Sequence, residues 1–80
     1  MRVRVLFRPE LARWVRESRS YFMVTEEECP EGLLVTLQIR REEELVQWLL
    51  GWGAGARVLE PESLRQRIQA EAAQMLKIYE

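Results

Sequence analysis

Apolar and polar residues alternate along the opening stretch RVRVLFR, residues 2–8. Successive side chains of a strand point to opposite faces, so Val3, Val5 and Phe7 share one face. The other face carries Arg2, Arg4 and Leu6. The pattern predicts a half-buried strand, followed by a helix over residues 9–18. Pro9 suits the first turn of that helix, and the expected buried stripe is Leu11, Trp14, Val15 and Ser18.

A hairpin is predicted next. The stretch YFMVTEEE, residues 21–28, is rich in aromatic and branched residues, and CPEG supplies turn chemistry at 29–32. Residues 32–40, GLLVTLQIR, alternate again, with Leu33, Val35, Leu37 and Ile39 on one face.

Two further helices flank a short strand. In REEELVQWLLG, residues 41–51, three glutamates stand at a helix N-terminus, where negative charge is favoured. Leu45, Trp48 and Leu49 form its stripe, and Gly51 ends it. Residues 56–60, ARVLE, predict a strand, and a last helix begins at Pro61 and Glu62. Its expected buried stripe is Leu64, Ile68, Ala72, Met75 and Tyr79.

Three glycines alternate in LGWGAGARVLEP, residues 50–61. A phosphate-binding glycine run follows a strand and opens a helix, whereas this one follows a helix and precedes a strand. The order predicts a structural loop that binds no nucleotide. Gly51 is expected in the left-handed conformation just past the helix, and Gly53 and Gly55 in a tight reversal.

The predicted order β-α-β-β-α-β-α indicates an α+β fold over residues 1–80. We expect one ferredoxin-like domain, a βαββαβ antiparallel sheet with two helices on one face plus a C-terminal helix. With 80 residues, one cysteine and no histidine, the chain has no internal disulfide, no zinc ligand set and no Cys-His pair. We therefore predict that the protein is not an enzyme and has no catalytic residues, metal or cofactor. Because no apolar run is long enough to span a membrane, we also expect a cytoplasmic protein.

Charge is unevenly distributed. Residues 1–25 carry six arginines against two glutamates, a net +4, and residues 26–80 carry a net −5. A basic surface could attract an anionic ligand or acidic partner, and an ordinary solvated Arg/Glu surface is the alternative.

Several short motifs occur in an order that resembles one known family. They are V-x-V-x-F, A-x-x-V, a hairpin closed by glycine, L-x-x-W-L-L-G-x-G, V-L-E-P and L-R. Here these positions are Val3, Val5, Phe7, Ala12, Val15, Gly32, Leu45, Trp48, Leu49, Leu50, Gly51, Gly53, Val58, Leu59, Glu60, Pro61, Leu64 and Arg65.

The set resembles the WYL C-terminal extension domain, WCX, of bacterial transcription regulators. The resemblance implies winged-helix and WYL domains in a parent regulator, with DNA contacted only through the winged-helix domain. We expect the chain to be an excised or truncated domain of such a protein.

Site candidates follow from the sheet face opposite the expected core. Arginines on strands can bind phosphates or carboxylates through two parallel hydrogen bonds. The anion-contact candidates are Arg2, Arg4, Arg40 and Arg57, with Tyr21 and Met23 beside them. Arg2, Arg4 and Arg40 are predicted to converge, and salt bridges to glutamates 26–28 are the structural alternative. Apolar interface candidates are Leu34, Trp52 and Leu59. Trp14 and Trp48 are expected in the core.

Two function hypotheses remain. The first is a non-catalytic regulatory and oligomerisation domain of a WYL-type regulator, which supports a homodimer and contacts an anionic effector, nucleotide or nucleic-acid-like. The second is a free-standing ACT-like domain that senses a small molecule. Base stacking of the kind used by RNA-recognition domains is disfavoured, because the central strands offer no outward aromatic residue.

Overall fold

The computed structural model describes residues 1–18 and 22–80. Four strands and three helices follow one another, with short 3₁₀ turns at Pro9–Leu11 and Gly53–Gly55. In chain order they are β1 (Arg2–Phe7), α1 (Ala12–Glu17), β2 (Met23–Cys29), β3 (Gly32–Gln38), α2 (Glu43–Leu50), β4 (Ala56–Glu60) and α3 (Glu62–Lys77). The α+β class, the four-stranded antiparallel sheet and the C-terminal helix are confirmed. No helix in the described part of the chain is long and apolar enough to cross a bilayer.

The strands lie in the order β2-β3-β1-β4, and every neighbouring pair is antiparallel. In the central pair, Val3 lies opposite Leu37, Val5 opposite Val35 and Phe7 opposite Leu33. Residues directly opposite one another share a sheet face, so these six side chains form one apolar layer. All six are completely buried, as the alternation predicts.

The core joins this layer to all three helices. Val15 comes from α1, Leu45 and Leu49 from α2, and Leu64 from α3. Phe7, Trp48 and Trp52 add an edge-to-face aromatic group, with ring centroids 5.6–5.9 Å apart. Such pairs contribute about 0.5–1.5 kcal/mol beyond their buried area. Trp48, predicted in the core, is half-buried and packs against it.

Trp14, in contrast, was wrongly assigned to the core. Its side chain is 54% exposed, and the Arg13 guanidinium lies over its ring, 5.6 Å from the centroid. The α-helical part of the predicted 9–18 helix covers only six residues, and Val15 is its one buried residue. Trp14 lies about 100° around the helix from Val15 and therefore misses the sheet.

The glycine loop follows α2 and precedes β4, as predicted, but Gly51 was given the wrong conformation. Gly51 is right-handed, at φ −62°, because its N–H continues the helix by bonding to the Gln47 carbonyl. The chain then adds a 3₁₀ turn at Trp52, and Gly53 takes the left-handed conformation at φ +60°. Gly55 is needed for space, since a Cβ there would collide with Leu11.

The predicted stripe of α3 holds only over its first two turns. Leu64 is buried and Ile68 half-buried, whereas Ala72, Met75 and Tyr79 are exposed. At about 1.5 Å per residue the helix is roughly 24 Å long, whereas the short strand β4 spans roughly 17 Å. The C-terminal half of α3 therefore extends past the core that its first half covers.

Charged contacts fix the start of α3 against α2. The Ser63 hydroxyl donates to Glu42, and Arg67 lies 3.1 Å from a Glu43 carboxylate oxygen. A backbone N–H bond to the Glu43 carboxylate, followed by the Arg67 contact, lowers the pKa of Glu43. These contacts hold the two helix N-termini together.

Candidate functional site

The sheet face opposite the core carries most of the predicted site residues. On β1 these are Arg2, Arg4 and Leu6, and their register partners on β3 are Gln38, Thr36 and Leu34. On β4, Glu60 lies opposite Arg4, and Arg57 lies opposite Leu6. The side chains of this outer face are exposed or half-buried, in contrast to the completely buried layer beneath them.

Arg2 forms an ion pair on this face. Its Nε donates to Glu60 Oε1 at 3.0 Å, and its Nη2 lies 3.0 Å from the same oxygen. Both side chains are well exposed. Such a pair contributes about 1 kcal/mol or less. Among the arginines that were predicted to converge, Arg2 is therefore paired with a glutamate from β4. The position of Glu60 beside Arg2 was not predicted.

Arg4 occupies the centre of the outer face. It is half-buried between Thr36 on β3 and Glu60 on β4 in the strand register. Within the described residues, Arg4 has no ion pair and no side-chain hydrogen bond; Glu60 binds Arg2 instead. No side-chain polar atom of the described residues is both fully buried and unbonded, so the Arg4 guanidinium remains open to water. Its N–H donors are therefore available to an anion.

Arg57 is the second arginine of the outer face that forms no ion pair within the described chain. It is exposed and lies opposite Leu6, which itself lies opposite Leu34 on β3. Diagonal neighbours in a sheet lie roughly 7–8 Å apart, within reach of long side chains. Arg4 and Arg57 are such diagonal neighbours, and the half-buried pair Leu6 and Leu34 lies beside them. We call these four residues the arginine strip.

Arg40 does not lie on a strand, which corrects the prediction that three arginines stand on neighbouring strands. β3 ends at Gln38, and the Ile39 side chain turns into the core. Arg40 lies in the bend that leads to α2, where it lines a shallow depression with Met1, Phe22 and Glu44. Tyr21, proposed beside the arginines, lies outside the described residues. Met23 pairs with the buried Leu37, on the core side of the sheet.

The structural alternative, salt bridges from the outer-face arginines to glutamates 26–28, is not seen in the described residues. Glu27 lies on the outer face opposite Leu34 and forms no ion pair with any described residue, whereas Glu26 and Glu28 lie on the core side of the sheet. Arg16 of α1 donates from Nε to Glu26 and from Nη2 to Glu28, each at 3.1 Å. The hydrogen bond to Glu28, followed by that to Glu26, raises the pKa of Arg16 above its ordinary value. This arginine was not predicted. The available signal was the two-residue spacing of the glutamates, which puts both carboxylates on one face of a strand.

The three apolar interface candidates lie in different places. Leu34 belongs to the arginine strip, and Leu59 lies near a register shift between β4 and β1, 38% exposed. Trp52 is half-buried and packs edge-on against Phe7 and Trp48, so its ring belongs to the core side. The structure thus brings Leu34, but not Trp52, onto the face that carries the arginines.

The family model described as the WCX domain matches residues 1–76, nearly the whole chain. The chain belongs to the WCX domain family. A search of curated proteins gave no match. Membership of this family is consistent with a regulatory domain of a WYL-type regulator.

The motif positions of this WCX domain mostly maintain its fold. Val3, Val5 and Phe7 form part of the buried layer, and Gly32 has φ +146° with its Cα packed so tightly that a Cβ would collide with the Phe7 carbonyl. Gly53 supplies the left-handed turn. The residues that mark the family thus explain the architecture, and none of the four residues of the arginine strip is among them.

Proposed function

We propose that this WCX domain is a non-catalytic regulatory and oligomerisation domain of a WYL-type transcription regulator. In this proposal its outer sheet face contacts an anionic effector, nucleotide or nucleic-acid-like, and the domain supports a homodimer. The observation that carries the proposal is Arg4, a half-buried arginine that forms no ion pair among the described residues although Glu60 lies opposite it in the strand register.

The chemistry of the arginine strip suits an anion. A guanidinium presents a planar fork of donors that matches phosphate and carboxylate oxygens bidentately. Arg4 and Arg57 lie on neighbouring strands, so one phosphate or carboxylate group could contact both. The leucine pair beside them would support the apolar part of a ligand, as in many small-molecule sites.

Stacking of bases has no support on this face. The outward residues of β1 and β3 are arginine, leucine, threonine and glutamine, and none is aromatic. RNA-recognition domains rely on aromatic residues of their central strands. Charge contacts to phosphate oxygens are therefore the proposed mode, and binding should weaken steeply with salt.

The wider context of the proposal comes from the family. Winged-helix and WYL domains of a parent regulator would contact DNA and enclose the effector, and we propose a cytoplasmic location for the same reason. We also class the fold as ferredoxin-like, as two interleaved βαβ units. Support for this class comes from the strand order β2-β3-β1-β4 and from antiparallel pairing throughout the sheet.

A titration of the isolated chain tests the anion contact. We expect tripolyphosphate and a short single-stranded oligonucleotide to shift the amide NMR signals of the arginine strip saturably at low salt. Arg4→Gln should weaken this binding by about tenfold, the loss expected when a charge-assisted hydrogen bond of about 1.5 kcal/mol is removed. Arg13→Gln is the matched control, because Arg13 lies on α1 and pairs with Glu17.

The same variants separate a ligand role from a structural one. Arg4→Gln should leave thermal stability nearly unchanged or slightly raised, since it removes an unpaired, partly buried charge. The proposal fails if neither anion shifts the outer-face signals, or if Arg4→Gln and Arg13→Gln bind equally well. In the full-length regulator, Arg4→Gln should also abolish effector-dependent DNA binding.

A further inference from the structure

The last turn of α3 and the residues just after it carry apolar side chains that nothing in the described chain covers. Met75, Leu76, Ile78 and Tyr79 are between 49% and 85% exposed. At about 100° per residue, all four fall within an arc of about 160° on the side of the helix that faces the core. The buried Leu64 and the half-buried Ile68 mark that side. We call the four exposed residues the α3 ledge, because they overhang the end of the core.

A groove opens beside the ledge. It has a volume of about 270 Å³ and lies between α2, the glycine loop, β4 and α3. Its lining contains no charged or polar side chain: Leu49, Leu50, Gly53, Ala54, Ala56, Val58, Ile68, Ala72 and Met75. Covering such a surface desolvates no charge, so its burial is favourable throughout.

The area of this surface indicates what covers it. Taking ~200 Å² for a fully exposed large side chain, the ledge alone exposes roughly 500 Å². That is already as large as the largest apolar patch of an ordinary monomer, before the groove is included. Two copies that cover one another would bury roughly 1,000 Å² from the ledges alone, the lower bound for a specific interface.

The ledge and the groove are also complementary within one chain. The ledge supplies projecting aliphatic and aromatic side chains, and the groove supplies an apolar recess on the same surface. A two-fold axis brings the ledge of each copy to the groove of the other, which is how an isologous interface satisfies both partners at once. The two α3 helices then run antiparallel, with opposed dipoles.

We propose that two copies of this chain pair about a two-fold axis through this surface, with each α3 ledge covering the groove of the other copy. The proposal names the surface for the dimer assembly proposed above and rests on it. The dimer contact is then formed by α3 and the groove, and not by Leu34, Leu59 and Trp52, the interface candidates predicted from the sequence. This arrangement also leaves Arg4, on the opposite face of the sheet, free in the dimer.

Sedimentation equilibrium over a wide range of chain concentration is the first test. We expect reversible dimers, and Leu76→Glu should raise the dissociation constant by at least about tenfold, because it places a charge in an apolar contact. Trp14→Glu is the matched control, since Trp14 is 54% and Leu76 65% exposed in the single chain. It should leave the constant unchanged, and circular dichroism should find both variants folded.

Disulfide trapping tests the position of the contact. In a Cys29→Ser background, Ala72→Cys should form covalent dimers under mild oxidation, because Ala72 lines the groove near the proposed axis. Ala70 and Ala72 are both exposed. Ala70 lies about 160° around α3 from Ala72, so Ala70→Cys should not form them.

Three results would overturn the proposal: a monomer at every concentration, equal effects of Leu76→Glu and Trp14→Glu, or equal trapping at positions 70 and 72. Failure of the anion contact is distinguishable from all three. Arg4→Gln should weaken anion binding and leave the dimer intact, whereas Leu76→Glu should do the reverse.

Discussion

Replacing Leu64 by alanine tests whether α3 is held to the domain through its first turns. Leu64 is completely buried and is the one buried residue of this helix. Removing three buried carbons forfeits about 0.8 kcal/mol each in transfer free energy. The cavity adds to this, so the expected loss in the free energy of unfolding is about 3–4 kcal/mol.

That loss is large for a domain of 80 residues. The total stability of such a domain is about 4–12 kcal/mol. A loss of about 3 kcal/mol should lower the Tm by roughly 12–25 °C. Urea unfolding followed by circular dichroism gives the free energy, and a thermal scan gives the Tm. The slope of the urea transition should stay close to that of the wild type, because the surface exposed on unfolding is almost the same.

Leu76→Ala provides the matched control, the same change in the same helix at a side chain that is 65% exposed. Measured at a chain concentration where sedimentation finds only monomer, it should cost less than about 0.5 kcal/mol. Equal costs at the two positions, or a cost for Leu64→Ala below about 1 kcal/mol, would refute the idea that the first turns anchor α3.

Two further predictions concern single positions. The φ angle is +60° at Gly53 and −62° at Gly51. Gly53→Ala should therefore lower the free energy of unfolding by about 1–2 kcal/mol, whereas Gly51→Ala should be neutral or stabilise by up to about 1 kcal/mol. Urea unfolding of both variants measures these changes. A larger loss for Gly51→Ala than for Gly53→Ala would indicate that Gly51 is the left-handed residue. The lowered pKa of Glu43 means that its contribution to stability is complete above its ordinary pKa of 4.5 and is lost as the pH falls through the lowered value. Glu43→Gln should flatten the fall in Tm on acidification through that range, and a profile parallel to that of the wild type would contradict the assignment.

Local patterns were sufficient to predict the sheet. The alternation of Val3, Val5 and Phe7, and of Leu33, Val35 and Leu37, identified all six residues of the buried layer. Period-two alternation depends only on neighbouring residues, and turn chemistry between the strands marks the hairpin. The order of helix and strand around the glycines followed from the sequence for the same reason.

The wrong predictions for α3 and for the glycine loop depend on features that neighbouring residues do not determine. Helical periodicity identified the apolar side of α3, but the point at which the core ends depends on the length of the sheet beneath it. Tyr79 was therefore expected to be buried and is 85% exposed. The choice of Gly53 over Gly51 depends on a 3₁₀ turn at the end of α2, and composition favours neither glycine.

The sequence predicted that arginines lie on the outer face of the sheet, but it did not predict which glutamate each arginine binds. Alternation placed Arg2 and Arg4 on the outer face, but the partner of Arg2 depends on the register of β1 with β4, strands that are far apart in sequence. The pairing of Arg16 with Glu26 and Glu28 likewise depends on how α1 packs beside the edge strand β2. Non-local register and packing decide which charges remain unpaired.

The pattern of pairing therefore says more about function than the charge imbalance does. The N-terminal stretch of the chain is strongly basic, yet Arg2, Arg13 and Arg16 all bind glutamates and belong to the ordinary surface. Arg4 differs from them because it is partly buried and its neighbour Glu60 is already engaged. An arginine that binds a glutamate has donors already engaged, whereas those of Arg4 have no acceptor in the described chain and remain open to water. An anionic ligand, or an acidic group of a partner domain, would therefore meet a guanidinium that no glutamate of this domain already binds.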